Sequence, residues 1–410
     1  MAKKKEIRYI CPVCYGTVDL DQVHYACNDP QCARIFLNSC KDNEAKRYSS
    51  AYKPEEEIDV ERSEFLGLDP SGPTAVTSKY HIIRGSTDGK CDICNGKNTV
   101  KLCPRCHTEI SKDTEKTGTS IFALLGSHNS GKSHYLASMV ELGLSDLSAE
   151  FRVTVKPSSR NTADKFSNEY EKIIFDEGKC LPVTPSYSEV ETRDPLLYDI
   201  TSEKGPSYNV ALFDTSGSDL DVTDKLASLN ISTFIASASG IMFFVDPLQL
   251  PEVRRKLGLP PIDCRSPTEA LEYISEIIRD KNRLKPRSTF DIPLAVIISK
   301  CDLIMRPANA GEDEDALLGP ESALHIPREH GKVDMENIIQ VSTEIEEYLR
   351  RNAGQEFLDA VSRFEKHEFF AVSAIGASPS EGNLINGMSP YRVEDPMLWF
   401  LSNSERRRWF

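Results

Sequence analysis

One eight-residue stretch combines the residue types that hold phosphate groups. Residues 126–133 read GSHNSGKS and fit the pattern G-x-x-x-x-G-K-[ST]. The glycines let successive backbone N–H groups face an anion, and a helix that follows adds its positive N-terminal end. We expect Lys132 to bridge terminal phosphate oxygens and Ser133 to offer its hydroxyl to Mg²⁺. The predicted nucleotide contacts in this loop are Gly126, Asn129, Ser130, Gly131, Lys132, Ser133 and His134.

A second motif, NVALFDTSG, places an acid at the end of an apolar run. Asp214 in this position can hold Mg²⁺ through water, and the backbone N–H of Gly217 can contact a terminal phosphate. The pattern D-x-x-G is by itself a weak indication of nucleotide binding, but its position after a predicted strand makes that interpretation stronger. His134 is a predicted nucleotide contact because it directly follows the loop, although a single histidine, like His128, is more often structural than catalytic.

Two later motifs indicate which base is bound. AVIISKCDLI ends in Ser299, Lys300 and Asp302. An aspartate there can accept hydrogen bonds from guanine N1–H and the exocyclic amine, while the lysine stem lies along the base; adenine lacks these donors. FFAVSAIG places Ser373 and Ala374 where a backbone N–H can reach guanine O6. The four motifs follow one another in order, each at the carboxyl end of a predicted strand, where such sheets bind ligands.

Cysteines supply a second kind of chemistry. Nine of the 12 cysteines lie in the first 106 residues, and three C-x-x-C pairs have metal-knuckle spacing. We expect two closed zinc sites, one on Cys11, Cys14, Cys27 and Cys32 and the other on Cys91, Cys94, Cys103 and Cys106. His24, Cys40 and His107 lie close enough in sequence to replace a ligand. Disulfides are the competing interpretation, which the absence of an export signal disfavours.

These motifs need a sheet to position them. Six apolar runs are predicted as strands: SIFALLG, PLLYDITSE, YNVALFD, GIMFFVD, PLAVIISK and EFFAVSA. Helical patterns separate them, which predicts an α/β fold with a mostly parallel sheet and helices on both faces. The predicted organisation is a zinc-ribbon module at 1–40, a linker or wrapping segment at 41–85, a second zinc-ribbon module at 86–115, and a nucleotide-binding domain at 116–410 with insertions at 151–195 and 303–335.

Composition limits the possible partners. The net charge of −14 disfavours broad electrostatic binding of nucleic acid or an acidic membrane. No stretch approaches the roughly 18 apolar residues of a membrane span. We therefore expect a soluble, cytoplasmic protein.

GSHNSGKS, DTSG, SKCD and SAI together resemble the G1, G3, G4 and G5 motifs of TRAFAC-class P-loop GTPases, over about residues 119 to 410. With the cysteine knuckles, LPVTP and VEDPMLWFL, the chain most resembles the bacterial double-GTPase (DO-GTPase) group, which is linked to biological-conflict systems. The resemblance implies a P-loop GTPase fold that binds GTP or GDP with Mg²⁺.

The same resemblance suggests residues for hydrolysis. The threonine that completes the Mg²⁺ shell in such proteins corresponds best to Thr184, with Thr192 as the alternative. The chain departs from small G proteins after Gly217, because no glutamine follows to orient the attacking water. Either Asp219 or a partner protein would have to supply that group.

Three functions remain open from the sequence. The first is a slow Mg²⁺-dependent GTPase, with Lys132, Thr184, Gly217 and Asp219 as catalytic residues and loops 180–195 and 215–225 as switches. The second is a GTP-holding scaffold without useful turnover, whose zinc ribbons recognise a partner. The third, a zinc-dependent nucleic-acid binder, is disfavoured by the net charge, although KLCPRCHTEISK is locally basic.

Overall fold

The computed structural model describes most of the chain in two compact units. The N-terminal unit comprises residues 1–119, 191–194 and 207–209, and the C-terminal unit comprises 120–190, 195–206 and 210–410. The described residues are 9–19, 21–29, 32, 57–78, 80–86, 88–110, 119–184, 195–202, 207–216, 225–262, 264–305, 321–329, 331, 333–377, 379–380, 382–384 and 387–403.

Short antiparallel strands build the N-terminal unit. In chain order its elements are β1 (Tyr9–Ile10), β2 (Thr17–Val18), β3 (His24–Cys27), β4 (Glu57–Ile58), helix α1 (Val60–Phe65), β5 (Thr77–Ser78), β6 (Ile82–Ile83), β7 (Thr99–Leu102) and β8 (Glu109–Ile110). β1 pairs with β2, β4 pairs with β5, and four strands form a sheet in the order β6-β3-β7-β8.

The middle of this unit is not a linker. β6 lies within the predicted linker at 41–85, yet it pairs with β3 as an edge strand, and Ile82 and Ile83 are buried. The core consists of Tyr9, Val18, Val23 and other apolar side chains packed around buried cysteines. A unit this small has little apolar volume, so the cysteine sites contribute much of its interior. The expectation of a linker at 41–85 is therefore wrong for its described residues, 57–78 and 80–85.

The C-terminal unit, taken together with Thr119 and residues 207–209 at the starts of two of its strands, alternates strands and helices. Its elements are β9 (Thr119–Gly126), α2 (Lys132–Ser138), a π-helical turn (Met139–Gly143), α3 (Leu144–Phe151), β10 (Val153–Pro157), α4 (Arg160–Phe166), a π-helical segment (Ser167–Asp176), β11 (Leu196–Ser202), β12 (Ser207–Asp214), α5 (Lys225–Ala236), β13 (Gly240–Val245), a 3₁₀ turn (Pro247–Gln249), α6 (Pro251–Lys256), α7 (Pro267–Lys281), β14 (Leu294–Ile298), 3₁₀ turns (Cys301–Leu303 and Ala323–His325), α8 (Met335–Asn352), α9 (Gln355–Val361), β15 (His367–Ala371) and α10 (Asp395–Asn403).

Seven described strands form one sheet in the order β10-β11-β12-β9-β13-β14-β15. β9, β13, β14 and β15 pair in parallel, and β13 and β14 are buried along their whole length. Such continuous apolar runs are typical of strands covered on both faces. β10 pairs antiparallel with β11, so the predicted insertion at 151–195 adds an edge strand. All six predicted strands are present, and the sheet gathers the loops after β9, β13, β14 and β15 at one edge.

Candidate nucleotide and metal sites

The 126–133 loop leaves β9 and enters α2 with a strongly curved backbone. A Cβ atom on Gly126 would lie 2.6 Å from the carbonyl oxygen of Phe244 in β13, so only glycine fits against that strand. Asn129 (φ 59°) and Gly131 (φ 83°) both adopt the left-handed conformation. This alternation turns neighbouring N–H groups to the same side, which creates a concavity that favours anions.

The ammonium group of Lys132 is folded into this loop. Its Nζ donates to the carbonyl oxygens of Gly126 and Ser127, both at 2.9 Å, and lies 3.2 Å from Ser130 Oγ. The side chain is buried, with 5% of the residue exposed. A buried cation held among carbonyl groups at the mouth of an anion-binding loop has the position needed to contact phosphate oxygens.

Three oxygen donors converge at the start of α2. Ser133 Oγ lies 2.8 Å from Thr184 Oγ1, and Thr184 Oγ1 donates to Asp214 Oδ2 at 3.3 Å. Adjacent oxygens of an octahedral Mg²⁺ shell with bonds of 2.0–2.1 Å are about 3 Å apart. Hydroxyl and carboxylate oxygens are the donors that Mg²⁺ prefers, so these three side chains fit the ion chemically and by spacing.

A second group of side chains lies at the ends of β14 and β15. Lys300 Nζ donates to the carbonyl oxygen of Asn129 at 2.9 Å and is 2.5 Å from Asp246 Oδ2. Ser373 Oγ donates to Asp302 Oδ1 at 2.5 Å. The bond from Lys300 links this group directly to the phosphate loop. The bond from Ser373 fixes the Asp302 carboxylate while leaving it further lone pairs for a ligand.

One cavity connects the two groups. Its volume is about 460 Å³, within the usual range of small-molecule sites. Its lining includes Lys132, Ser133 and Thr184 of the first group and Asp302 and Ser373 of the second. Ser299 and Ala374 also line it, so the structure brings most of the predicted nucleotide contacts to one cavity.

His134 joins the start of α2 to the segment that carries Thr184. Its Nε2 accepts a hydrogen bond from the backbone N–H of Leu181 at 3.1 Å. Burial, together with the nearby charge of Lys300, lowers the pKa of His134 to about 4, which keeps the ring neutral and able to accept. Backbone bonds from Cys180 to Gly382 and from Leu384 to Gly178 hold the same segment from its other side.

Several predicted residues lie outside the described part of the chain. These are Gly217, Asp219, Thr192 and Cys40. Conversely, the sequence interpretation missed two side chains that hold the loop. Asp246 contacts Lys300, and Gln249 donates through Nε2 to the carbonyl oxygen of His128 at 2.6 Å while its Oε1 accepts from Ser127. Asp246 follows β13 directly, so the rule that ligands gather at carboxyl ends of strands could have identified it.

The eight cysteines form two groups of four, but not the predicted ones. One group consists of Cys11, Cys14, Cys103 and Cys106, and the other consists of Cys27, Cys32, Cys91 and Cys94. The second group is therefore nested in sequence within the first. The cause is the antiparallel pairing of β3 with β7, in which His24 faces Leu102 and Cys27 faces Thr99. That register places Cys103 at one end of the pair and the 91–94 knuckle at the other.

Local geometry shows why these cysteines converge. After each C-x-x-C pair the next residue is left-handed: Tyr15, Asn95 and His107 have φ values of 54°, 55° and 52°. Contacts between sulfur atoms of different knuckles are 3.5–3.7 Å. A tetrahedral shell with Zn–S bonds of about 2.3 Å has sulfur atoms about 3.8 Å apart. All eight are thiols in the structure, and both groups fit a zinc ion by donor type and spacing.

No family model matches the chain. The chain is 27% identical over 316 residues to the Mycolicibacterium smegmatis protein named "Putative ESX-1 scaffolding and assembly protein SaeC", covering 74% of this chain and 80% of that one. Among solved structures, translation elongation factor SelB from Methanococcus maripaludis with the GTP analogue GppNHp matches at 12% identity and a TM-score of 0.26. That match covers 71% of this chain but spans only 35% of SelB, and it supports no inference about fold or function.

Proposed function

We propose that this chain binds guanine nucleotides, with the phosphates on the 126–133 loop and the base at Asp302. The observation that carries the proposal is that Lys132, Ser133 and Asp302 all line the same cavity. A cation, hydroxyls and an anion-binding loop suit a triphosphate, and a fixed carboxylate suits the two donors of guanine. Ala374 remains the proposed backbone contact to guanine O6.

Mg²⁺ would enter between the hydroxyls of Ser133 and Thr184, with Asp214 beside them. When bound, the ion neutralises phosphate charge. Lys132 Nζ would exchange contacts with the Gly126 and Ser127 carbonyl oxygens and with Ser130 Oγ for a terminal phosphate oxygen. The proposal for Thr184 is supported by its contact with Ser133, and Thr192 remains the alternative.

We further propose that GTP is hydrolysed slowly and that the loops at 180–195 and 215–225, of which 180–184 and 215–216 are described, respond to the bound nucleotide. A change at the metal would reach residues 180–184 through Thr184, which contacts Ser133 and Asp214. The bond from Leu181 to His134 holds the same residues against α2. Because no glutamine follows Gly217 in the sequence, water would be oriented by Asp219 or by a partner protein.

The likeness to SaeC favours a second candidate, a nucleotide-holding scaffold that assembles other proteins without useful turnover. In that case the cysteine-rich N-terminal unit, with two proposed zinc ions, would recognise the protein partner. No helix in the described residues has the length and apolar character needed to cross a bilayer.

Equilibrium binding of GTP, GDP and ATP, followed by GTP turnover with Mg²⁺, tests both candidates. Lys132→Ala should abolish turnover and weaken GTP binding, while Lys285→Ala, which alters an exposed lysine, should change neither. Thermal unfolding of both variants controls for folding. Equal affinity for ATP and GTP would overturn the guanine assignment. Tight GTP binding with no turnover would favour the scaffold.

A further inference from the structure

Two histidines and a glutamate converge in the N-terminal unit outside both cysteine groups. His24 begins β3, Glu61 lies in the first turn of α1, and His107 follows the knuckle of Cys106. His24 Nδ1 lies 2.8 Å from His107 Nε2, and each of these nitrogens lies 3.8 Å from a carboxylate oxygen of Glu61. One ligand atom from each residue lies within 4.8 Å of the others.

A buried carboxylate sets the orientation of His107. Its Nδ1 is 2.7 Å from Asp59 Oδ1, and the His107 side chain is 2% exposed. Because an ionised carboxylate only accepts hydrogen bonds, Nδ1 carries the proton and Nε2 presents its lone pair to His24 and Glu61. Histidine ligands of metal ions typically make this type of bond through their second nitrogen, which fixes the ring and makes it a better donor.

A metal needs a neutral His24 ring and an ionised Glu61. In the structure, His24 Nδ1 donates to His107 Nε2 at 2.8 Å, so metal binding would require the proton of His24 to move to Nε2. Burial and the neighbouring His107 lower the pKa of His24, which favours the neutral ring. Hydrogen bonds from Arg84, at 2.6 and 2.7 Å, lower the pKa of Glu61 to about 2. Arg84 uses one lone pair on each carboxylate oxygen, so Glu61 retains lone pairs for another partner.

The spacing and charge of the cluster suit a small divalent cation. Ligand atoms bound to zinc at 2.0–2.1 Å in a tetrahedral shell are about 3.3 Å apart. The two nitrogens are 2.8 Å apart, and each lies 3.8 Å from a different oxygen of Glu61, Oε1 for His24 and Oε2 for His107. Asp59, Glu61 and Glu57, which contacts Arg84 at 3.3 Å, bring three negative charges to the cluster, and Arg84 and Arg62 supply two positive charges. The hydrogen bond between the two rings uses the lone pair of only one ring nitrogen. A bound cation would instead be coordinated by one nitrogen of each ring and by the Glu61 carboxylate.

We propose that His24, Glu61 and His107 form a third zinc site, separate from the two cysteine groups. Two imidazole nitrogens and a carboxylate oxygen are ligands typical of zinc, and three protein ligands leave one position for water or for a group from a partner. The site would share the 103–106 knuckle with a cysteine site, since His107 directly follows Cys106. The proposal does not depend on nucleotide binding.

Metal content of the full-length protein tests the proposal. After equilibration with zinc and removal of the unbound ion, zinc per chain is measured by mass spectrometry for the wild type, His24→Gln, Glu61→Gln and the control His81→Gln. His81 belongs to the same unit but not to the cluster. We expect His24→Gln and Glu61→Gln each to lose one equivalent relative to the wild type and His81→Gln to lose none. Circular dichroism establishes that each variant is folded.

Cobalt substitution tests the third site by absorption spectroscopy, independently of the measured zinc content. Loss of the third site should remove absorbance typical of nitrogen and oxygen ligands while leaving the sulfur-to-cobalt charge-transfer bands of the cysteine groups unchanged. Identical zinc content in folded wild type and His24→Gln, with identical cobalt spectra, would overturn the proposal. The three residues would then form a hydrogen-bonded cluster without metal.

Discussion

Replacement of Thr184 by valine isolates the hydroxyl that joins the proposed metal ligands. Valine keeps the shape of threonine but removes Oγ1, which lies 2.8 Å from Ser133 Oγ and 3.3 Å from Asp214 Oδ2. In the proposed complex Oγ1 would contact the ion, and a contact between a hydroxyl and a charged group contributes about 1.5–3 kcal/mol. We therefore expect Thr184→Val to weaken binding of GTP with Mg²⁺ roughly 10- to 150-fold.

Titration with a fluorescent GTP analogue, with Mg²⁺ and then with excess chelator, measures this effect. The difference between wild type and Thr184→Val should shrink when the metal is removed, because the hydroxyl acts through the ion. Thr184→Ser retains the oxygen and should bind within about threefold of wild type, since that corresponds to less than 1 kcal/mol. Thr192→Val should have no effect. Unchanged affinity in Thr184→Val, or a loss confined to Thr192→Val, would refute the assignment of Thr184.

Three further predictions concern the base, the cysteines and pH. Asp302→Asn should shift preference from guanine towards xanthine nucleotides, because the amide donates where the carboxylate accepted; competition binding with XTP measures the shift, and retained guanine preference would contradict the base assignment. Cys103→Ser should perturb the metal site that contains Cys11 and leave the one that contains Cys91 intact, and cadmium NMR of the substituted protein would show which resonances change; loss of the Cys91 site instead would contradict the nested grouping. His134 has its pKa lowered from 6.5 to about 4, so the folded state binds fewer protons than the unfolded state between these values. Protonation of the buried ring therefore destabilises the folded state as the pH falls from 6.5 through 4, by about 3 kcal/mol at 1.36 kcal/mol for each unit of pKa difference. Urea unfolding at several pH values should show a shallower dependence in His134→Gln, and equal slopes would contradict this role.

Much of the sheet and the candidate nucleotide site could be predicted from local patterns. Apolar runs such as GIMFFV and LAVII are long enough to identify buried parallel strands, and each motif directly follows such a run. Because parallel strands end at the same edge, the loops after β9, β13, β14 and β15 had to lie close together. Lys132 and Asp302 could therefore be assigned to one cavity without knowledge of the packing.

Local patterns could not predict contacts between segments far apart in the chain. The distance of Thr184 from Ser133 depends on how the insertion folds back, and that depends on His134 and on backbone bonds to residues 382–384. The contacts that Asp246 and Gln249 make with the phosphate loop likewise require the arrangement of neighbouring strands.

For the cysteines, the local sequence determines part of the metal site and the tertiary structure determines the rest. C-x-x-C spacing by itself determines that two thiolates can face one ion, because a tight turn within four residues aims both side chains in the same direction. Which pairs share an ion depends on the register of β3 against β7, where His24 faces Leu102 and Cys27 faces Thr99. Strand pairing depends on side-chain packing across the sheet and on the burial of each face, which spacing along the chain does not encode. The same pairing brings His24 to His107, so both the nested cysteine groups and the proposed third zinc site result from tertiary structure alone.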